Sequence, residues 1–158
     1  MRVDDGAVYN GEWLNGQPHG QGVWVTIEGD VYCSQSWNHG TKHGTTVDVL
    51  CDGCVYRGNY EHGQRHGYGI LTWPYGAHYV GQFVHDKRHG DGIYTYPDAR
   101  CYTGVYHDDR PHGYGKLTSA DGTVLYDGMW QLGEFIGSST TTTTTNTHIG
   151  NSGSRTDQ

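Results

Sequence analysis

One short pattern returns every 23 or 24 residues along the chain, and no other feature of the sequence restricts the fold as much. Tyr9, Tyr32, Tyr56, Tyr79, Tyr102 and Tyr126 are separated by 23, 24, 23, 23 and 24 residues. A second aromatic follows each tyrosine after four or five residues, at Trp13, Trp37, Tyr60, Phe83, Tyr106 and Trp130. Seven residues beyond each of these stands a glycine: Gly20, Gly44, Gly67, Gly90, Gly113 and Gly137. The template is Y-x-G-x-[WYF]-x-x-G-x-x-H-G-x-G, then an apolar stretch and a turn containing Gly or Pro. A repeat of this length means a stack of like supersecondary units, each burying its face against its neighbours.

Inside a copy the pattern has a period of two. Tyr79, Gly81 and Phe83 alternate, as do Gly90, Gly92, Tyr94 and Tyr96, and that period belongs to strands. Between the two runs lie Asn15-Gly16, His39-Gly40, His62-Gly63 and His85-Asp86, residue types that tolerate positive φ in tight turns. Pro74-Tyr75-Gly76, Pro97-Asp98 and Asp121-Gly122 supply turn chemistry between copies. No helical period appears. Each copy is therefore predicted to be a β-hairpin and the fold to be all-β. Five full copies begin near residues 9, 32, 56, 79 and 102, with a partial one at 126; Asp5-Gly6-Ala7-Val8 matches the end of an earlier copy.

The second copy departs from the template. Tyr32 and Trp37 are five residues apart, and Ser34 and Thr46 replace glycines. One inserted residue predicts a β-bulge in that strand. The fifth copy carries an extra residue near Thr123–Leu125, in a connection.

Composition says how such hairpins pack. The chain has 26 Gly, 13 Tyr, 5 Trp and 2 Phe, with only 34% apolar residues. Rings and glycines, rather than Leu and Ile, must form the core. A single sheet has no second layer, so rings away from its centre should line an open groove. The predicted partner groove comprises Trp13, Trp24, Tyr60, Trp73, Phe83, Tyr94, Tyr96, Tyr106 and Trp130. From Ser138 the sequence becomes SSTTTTTTNTHIGNSGSRTDQ, too polar to offset its ordering entropy. Residues 1–137 are read as the folded domain and 138–158 as a disordered tail.

YNGEWLNGQPHGQG, YRGNYEHGQRHGYG, YVGQFVHDKRHGDG and YTGVYHDDRPHGYG strongly resemble the MORN repeat (membrane occupation and recognition nexus), from about Asp4 to Gly137. The resemblance implies an elongated single-layer β-solenoid. It also implies scaffolding, homotypic assembly, binding of partner peptides or helices, and attraction to phospholipids. Such arrays occur in junctophilins, plant phosphatidylinositol-phosphate kinases and a histone lysine methyltransferase, so a regulatory part of a larger enzyme is a further implied reading.

Other chemistry is weakly represented. His19, His43, His66, His89 and His112 recur at one template position, which stacking places two strands, about 9.6 Å, apart. Neighbours at that distance do not share a metal ion, so no metal site is predicted. Cys51-Asp52-Gly53-Cys54 is a lone C-x-x-C whose Asp-Gly matches a turn, and no second pair accompanies it. The Gly-x-Gly segments are followed by strand, not by the helix a phosphate loop needs. No catalytic constellation and no cofactor motif emerges.

The net charge of −7 argues against general nucleic-acid binding. No apolar run reaches a membrane-spanning length, and the first residues turn acidic with no signal-peptide core. Four cysteines without an export signal fit a reducing, cytoplasmic setting. Lys42, Arg65, Lys87, Arg88 and Arg110 fall in or beside the hairpin turns and are read as a basic rim. That rim would draw the protein to the periphery of an anionic membrane, the alternative to a partner protein or peptide docking in the aromatic groove or on the edge strands.

Overall fold

The computed structural model describes residues 6–138 and places them in one sheet of twelve antiparallel strands, each hydrogen-bonded to its neighbours in sequence. The strands are β1 (Val8–Leu14), β2 (Gln17–Val25), β3 (Val31–Asn38), β4 (Thr41–Val49), β5 (Val55–Glu61), β6 (Gln64–Thr72), β7 (His78–Val84), β8 (Lys87–Thr95), β9 (Cys101–His107), β10 (Arg110–Thr118), β11 (Val124–Gln131) and β12 (Glu134–Gly137). The all-β, single-layer stack of hairpins read from the repeat is thus the fold. The tail expected over 138–158 lies, beyond Ser138, outside the described residues.

Each hairpin closes through two residues with positive φ, the arrangement whose twist matches paired strands. The first residue has φ between 47° and 52° (Asn15, His39, His62, His85, Asp108, Leu132) and the second between 68° and 93° (Gly16, Gly40, Gly63, Asp86, Asp109, Gly133). Successive hairpins join by a five-residue turn with a recurring pair of backbone hydrogen bonds. In one copy Trp73 N donates to Ala77 O at 2.9 Å and Gly76 N to Trp73 O at 3.1 Å.

The bulge expected only in the second copy occurs in every full hairpin. Register shifts fall at Gly11/Glu12, Ser34/Ser36, Gly58/Tyr60, Gly81/Phe83 and Pro111/Gly115. The extra residues sit on the second strand, where Gly20, Gly44, Gly67, Gly90 and Gly113 take φ of 58–73°. This left-handed backbone is why the template demands His-Gly there. The residue inserted into β3 lies opposite the bulge and partly evens the two strands.

The core consists of tyrosines lying flat over paired glycines. Gly58 and Gly69 face each other across β5 and β6. A Cβ at either would come within 3 Å of the Tyr56 ring or hydroxyl. Gly11 and Gly22 cradle Tyr9 in the same way, Gly81 and Gly92 cradle Tyr79, and Gly104 and Gly115 cradle Tyr102. These four tyrosines are at most 1% exposed. The hydroxyls of Tyr56, Tyr79 and Tyr102 donate to backbone carbonyls three residues on, Asn59 (3.0 Å), Gln82 (3.0 Å) and Val105 (3.1 Å). Burial pushes the Tyr102 phenol up to about 12, and that of Tyr56 and Tyr79 higher still.

Each cradled tyrosine also touches two rings edge to face: the second aromatic of its own copy and that of the next. Tyr56 meets Tyr60 and Phe83, Tyr79 meets Phe83 and Tyr106, and Tyr102 meets Tyr106 and Trp130, with centroids 5.1–5.4 Å apart. Such pairs contribute about 0.5–1.5 kcal/mol each beyond their buried area. In two copies the indole N–H of the second aromatic donates to a glycine carbonyl of the preceding copy: Trp37 to Gly22 (3.2 Å), Trp130 to Gly115 (3.0 Å).

The second copy breaks this chain of rings. Ser34 pairs with Thr46 where the other copies have a glycine pair, and Tyr32 pairs with Asp48 where they place Trp24, Leu71, Tyr94 or Leu117. Asp48 is completely buried. Lys42 Nζ lies 2.8 Å from its Oδ2, and the Tyr60 hydroxyl donates to the same oxygen. The ammonium sits 3.7 Å from the Tyr32 ring centroid and 4.1 Å from that of Tyr60, so a cation joins the two rings.

Two substitutions test this packing. Gly81→Ala forces a methyl against the Tyr79 hydroxyl and the backbone of Gly92, and is expected to cost about 3 kcal/mol in urea unfolding. Lys42→Met strands the Asp48 carboxylate and is expected to cost about 3–5 kcal/mol. Adding Asp48→Leu, the residue of the third and fifth copies, should restore stability to within about 1 kcal/mol of the parent or above it. A double variant no more stable than Lys42→Met would show that Asp48 has another structural role.

Candidate functional site

Strand alternation decides where the basic side chains go. Lys42 pairs with Trp37, Arg65 with Tyr60 and Arg88 with Phe83, so all three project to the aromatic face. The Arg65 guanidinium carbon is 5.6 Å from the Tyr56 ring centroid and 5.4 Å from that of Phe83. Arg88 lies among four rings, Trp73, Tyr79, Tyr94 and Tyr106, at 5.3–5.9 Å.

Each arginine is clamped by the turn of the following hairpin. Arg65 Nε donates to Asp86 Oδ1 at 3.2 Å and Nη2 to the Asp86 carbonyl at 2.8 Å, while the same Oδ1 accepts from Arg65 N at 2.9 Å. Arg88 repeats the geometry with Asp109 at 3.1, 2.7 and 3.0 Å. Where the equivalent position is Pro18, Lys42 or Pro111, the following turn has Gly40, Gly63 or Gly133, joined only through its backbone N–H. This Arg-to-Asp separation of 21 residues is written in the sequence and is the signal that a search for charge runs overlooks.

The five cations therefore do not form one solvated rim. Lys42, Arg65 and Arg88 turn inward; only 14–23% of each side chain is exposed. Lys87 and Arg110 remain outside, with Lys87 3.4 Å from Asp108. The hairpin turns hold Asp86, Asp108 and Asp109 as well, which balance the basic residues there.

The predicted groove rings divide into two sets. Tyr60, Phe83, Tyr106 and Trp130 are 1–8% exposed and belong to the core. Trp13, Trp24, Trp73, Tyr94 and Tyr96 are half-buried. Trp24 stacks on Trp37 with centroids 5.6 Å apart. Trp73 touches Tyr94 at 5.6 Å and stacks on exposed Tyr75, a ring outside the predicted set; Tyr94 in turn meets Tyr96 at 4.7 Å.

A cavity of about 420 Å³ opens on this face. Trp73, Leu71 and Phe83 form its apolar part and Arg65 and Arg88 its cationic part, with Asp86 and Asp109 from the hairpin turns and Asp52 from an inter-repeat turn. Residues from both rows of turns line this one space, so the aromatic face is a groove. Its surface can bury an apolar side chain against Trp73 while offering both charges to a polar backbone. A smaller cavity of about 240 Å³, lined by Trp24, Tyr32, Trp37 and Lys42, lies on the same face in the second copy.

Among the described residues no cluster of three or more His, Cys, Asp or Glu converges as metal ligands, and all four cysteines are free thiols. Cys51 and Cys54 flank a tight turn, in which Cys54 N donates to Asp52 Oδ1 at 2.9 Å and Gly53 N to Leu50 O at 2.9 Å. No helix among the described residues is long and apolar enough to cross a membrane.

Comparison with known proteins bears on the repeat itself. The MORN repeat model matches residues 9–31, 56–77, 79–98 and 102–124, and these matches omit 32–55, the copy without a glycine cradle. No curated protein matches the chain. Among solved structures, a mutant of the TCP10 domain of CPAP from Danio rerio is similar at 17% identity, over 82% of this chain and 70% of that one. The TM-score is 0.20, too low to support an argument about fold. The four repeat matches together span more than half of the sequence, and the chain belongs to the MORN-repeat family, whose repeats are non-catalytic modules of protein and membrane interaction.

Proposed function

We propose that the chain is a non-catalytic, cytoplasmic scaffold whose aromatic groove binds a segment of a partner protein. Residues 1–137 form the interaction domain and 138–158 a polar tail. The observation that carries this reading is the cavity of about 420 Å³ lined by half-buried Trp73 together with Arg65 and Arg88. Half-buried aromatics beside arginine are the residue types that dominate binding energy at protein interfaces. The outer edges of β1 and β12 are secondary sites, open to an added strand or another copy. An anionic phospholipid surface, and a regulatory role within a larger enzyme, are the lesser readings. For the membrane, only Lys87 and Arg110 of the five cations stay outside, and Asp108 sits beside Lys87.

The test compares Trp73→Ala with Tyr68→Ala, an exposed ring. Both variants should remain folded by circular dichroism, with Trp73→Ala melting somewhat lower because its ring packs against Tyr94 and Arg88. Captured partners, quantified by mass spectrometry and then by direct titration, should bind Trp73→Ala about 30-fold more weakly, the effect of losing about 2 kcal/mol at a hot spot. Tyr68→Ala should bind as the parent does. Equal affinity of parent and Trp73→Ala for every captured partner would contradict the groove reading.

A further inference from the structure

The edge formed by the hairpin turns carries a second feature, separate from the groove. His19, His43, His66, His89 and His112 lie on β2, β4, β6, β8 and β10, and the spaces between them are filled by His39, His62 and His85 in the turns and His107 at the end of β9. Ring centroids are 5.9 Å apart for His19 and His39, 5.8 Å for His66 and His85, 4.9 Å for His89 and His107, and 5.6 Å for His107 and His112. His39, His43 and His62 line one cavity of about 270 Å³, and His43 and His66 another of about 260 Å³. Nine imidazoles thus succeed one another across nine strands, a row about 40 Å long at the usual strand spacing of about 4.8 Å.

The charged groups facing this row are few. Glu61 Oε1 is 3.8 Å from His62 Nε2, and Glu61 Oε2 is 3.6 Å from His66 Nε2. Asp108 Oδ2 is 3.8 Å from His107 Nδ1, and its Oδ1 is held by Lys87. The Glu12 carboxylate accepts from Gln21 N beside β2, and His85 Nδ1 meets the Gln64 side-chain oxygen at 2.8 Å. Lys87 and Arg110 are the outward cations. Lys42, Arg65 and Arg88 are committed to the rings and to Asp48, Asp86 and Asp109.

We propose that this histidine edge is a pH-gated binding site for a linear phosphate polymer. Imidazole is the side chain whose charge ordinarily changes between pH 5 and 8. With the imidazoles neutral, the edge has almost no net charge. With them protonated, it becomes a row of cations, four neighbouring pairs of which have ring centroids 4.9–5.9 Å apart, and like charges at that distance repel one another. A polymer carrying phosphates at similar or closer spacing neutralises the whole line at once and releases its own counterions. Binding then draws protons onto the histidines, so affinity and protonation rise together. The row is one imidazole wide and flanked by the Glu61 and Asp108 carboxylates. A single chain can track it, whereas a flat anionic surface must also approach those carboxylates.

Inorganic polyphosphate titrated into the full chain at constant ionic strength is the direct probe. Affinity should be at least about 100-fold higher at pH 5.5 than at pH 7.5, corresponding to an average uptake of about one proton or more across that range. The triple variant His39→Asn, His62→Asn, His85→Asn keeps the turns, because Asn15 holds the same position with φ of 50°. It should melt as the parent does and lose at least tenfold of the gain at pH 5.5. His107→Gln, outside the turns, should lose part of it independently. An oligothymidylate of matched charge distinguishes the source of the phosphates. Binding alongside polyphosphate assigns the site to single-stranded nucleic acid, and failure to bind assigns it to polyphosphate itself. Equal polyphosphate affinity at the two pH values would overturn the proposal. So would unchanged binding by the triple variant, or binding of phosphatidylserine vesicles at pH 5.5 without binding of polyphosphate.

Discussion

A tyrosine ring lying flat across two facing glycines is the contact on which the rest of this structure depends. A single sheet has no opposing layer to bury its side chains, so each hairpin must supply both the ring and the space for it. Removing two Cβ atoms from one face of a hairpin makes that space, and the next copy closes it with another ring. Every cradled tyrosine therefore touches its own hairpin and the succeeding one, and stability passes along the array between nearest neighbours. Tyr9, Tyr56, Tyr79 and Tyr102 hold this position, and the second copy shows the effect of losing the glycines. There a buried Lys42–Asp48 pair substitutes for ring packing.

The same alternation that buries the rings gives the groove its chemistry. Arg65 and Arg88 are carried to the aromatic face by their pairing with Tyr60 and Phe83, and the aspartates of the next turn hold them flat against the rings. These clamps tie successive hairpins together at the turn edge, as the tyrosines do at the centre. They also fix both arginines in the wall of the cavity that Trp73 lines, so one set of contacts serves both cohesion and recognition. His19, His43, His66, His89 and His112 leave the ring face because they fall at the bulge, where the backbone turns away from it.

Most of the fold was legible in the sequence. The 23-residue period, the alternation and the turn pairs define the hairpins, and the positive φ at Asn15, His39, His62 and His85 is where turn chemistry puts it. Legibility stopped where position in a strand had to be converted into direction. Arg65 and Arg88 sit next to turns, and proximity to a turn suggests solvent; folding each copy about its two-residue turn sets them opposite Tyr60 and Phe83, on the inward face. The universal bulge was hidden because His-Gly reads equally well as the start of a strand. The division of the nine groove aromatics into core and accessible rings depends on how far the next copy covers each one, which no single copy encodes. His39, His62, His85 and His107 count as turn and strand residues when taken one at a time, and only the pairing of adjacent hairpins interleaves them with the regular histidine row.

Hydrogen exchange of the native protein, resolved by residue, tests most directly the claim that the glycine-cradled tyrosine sets local stability. The β3–β4 and β9–β10 hairpins are each second from an end of the sheet, so they differ little in exposure to fraying. One lacks the cradle and the other has Tyr102 between Gly104 and Gly115. Amides of β3–β4 should exchange at least about tenfold faster than the equivalent amides of β9–β10. Equal protection of the two hairpins, or greater protection of β3–β4, would contradict the account.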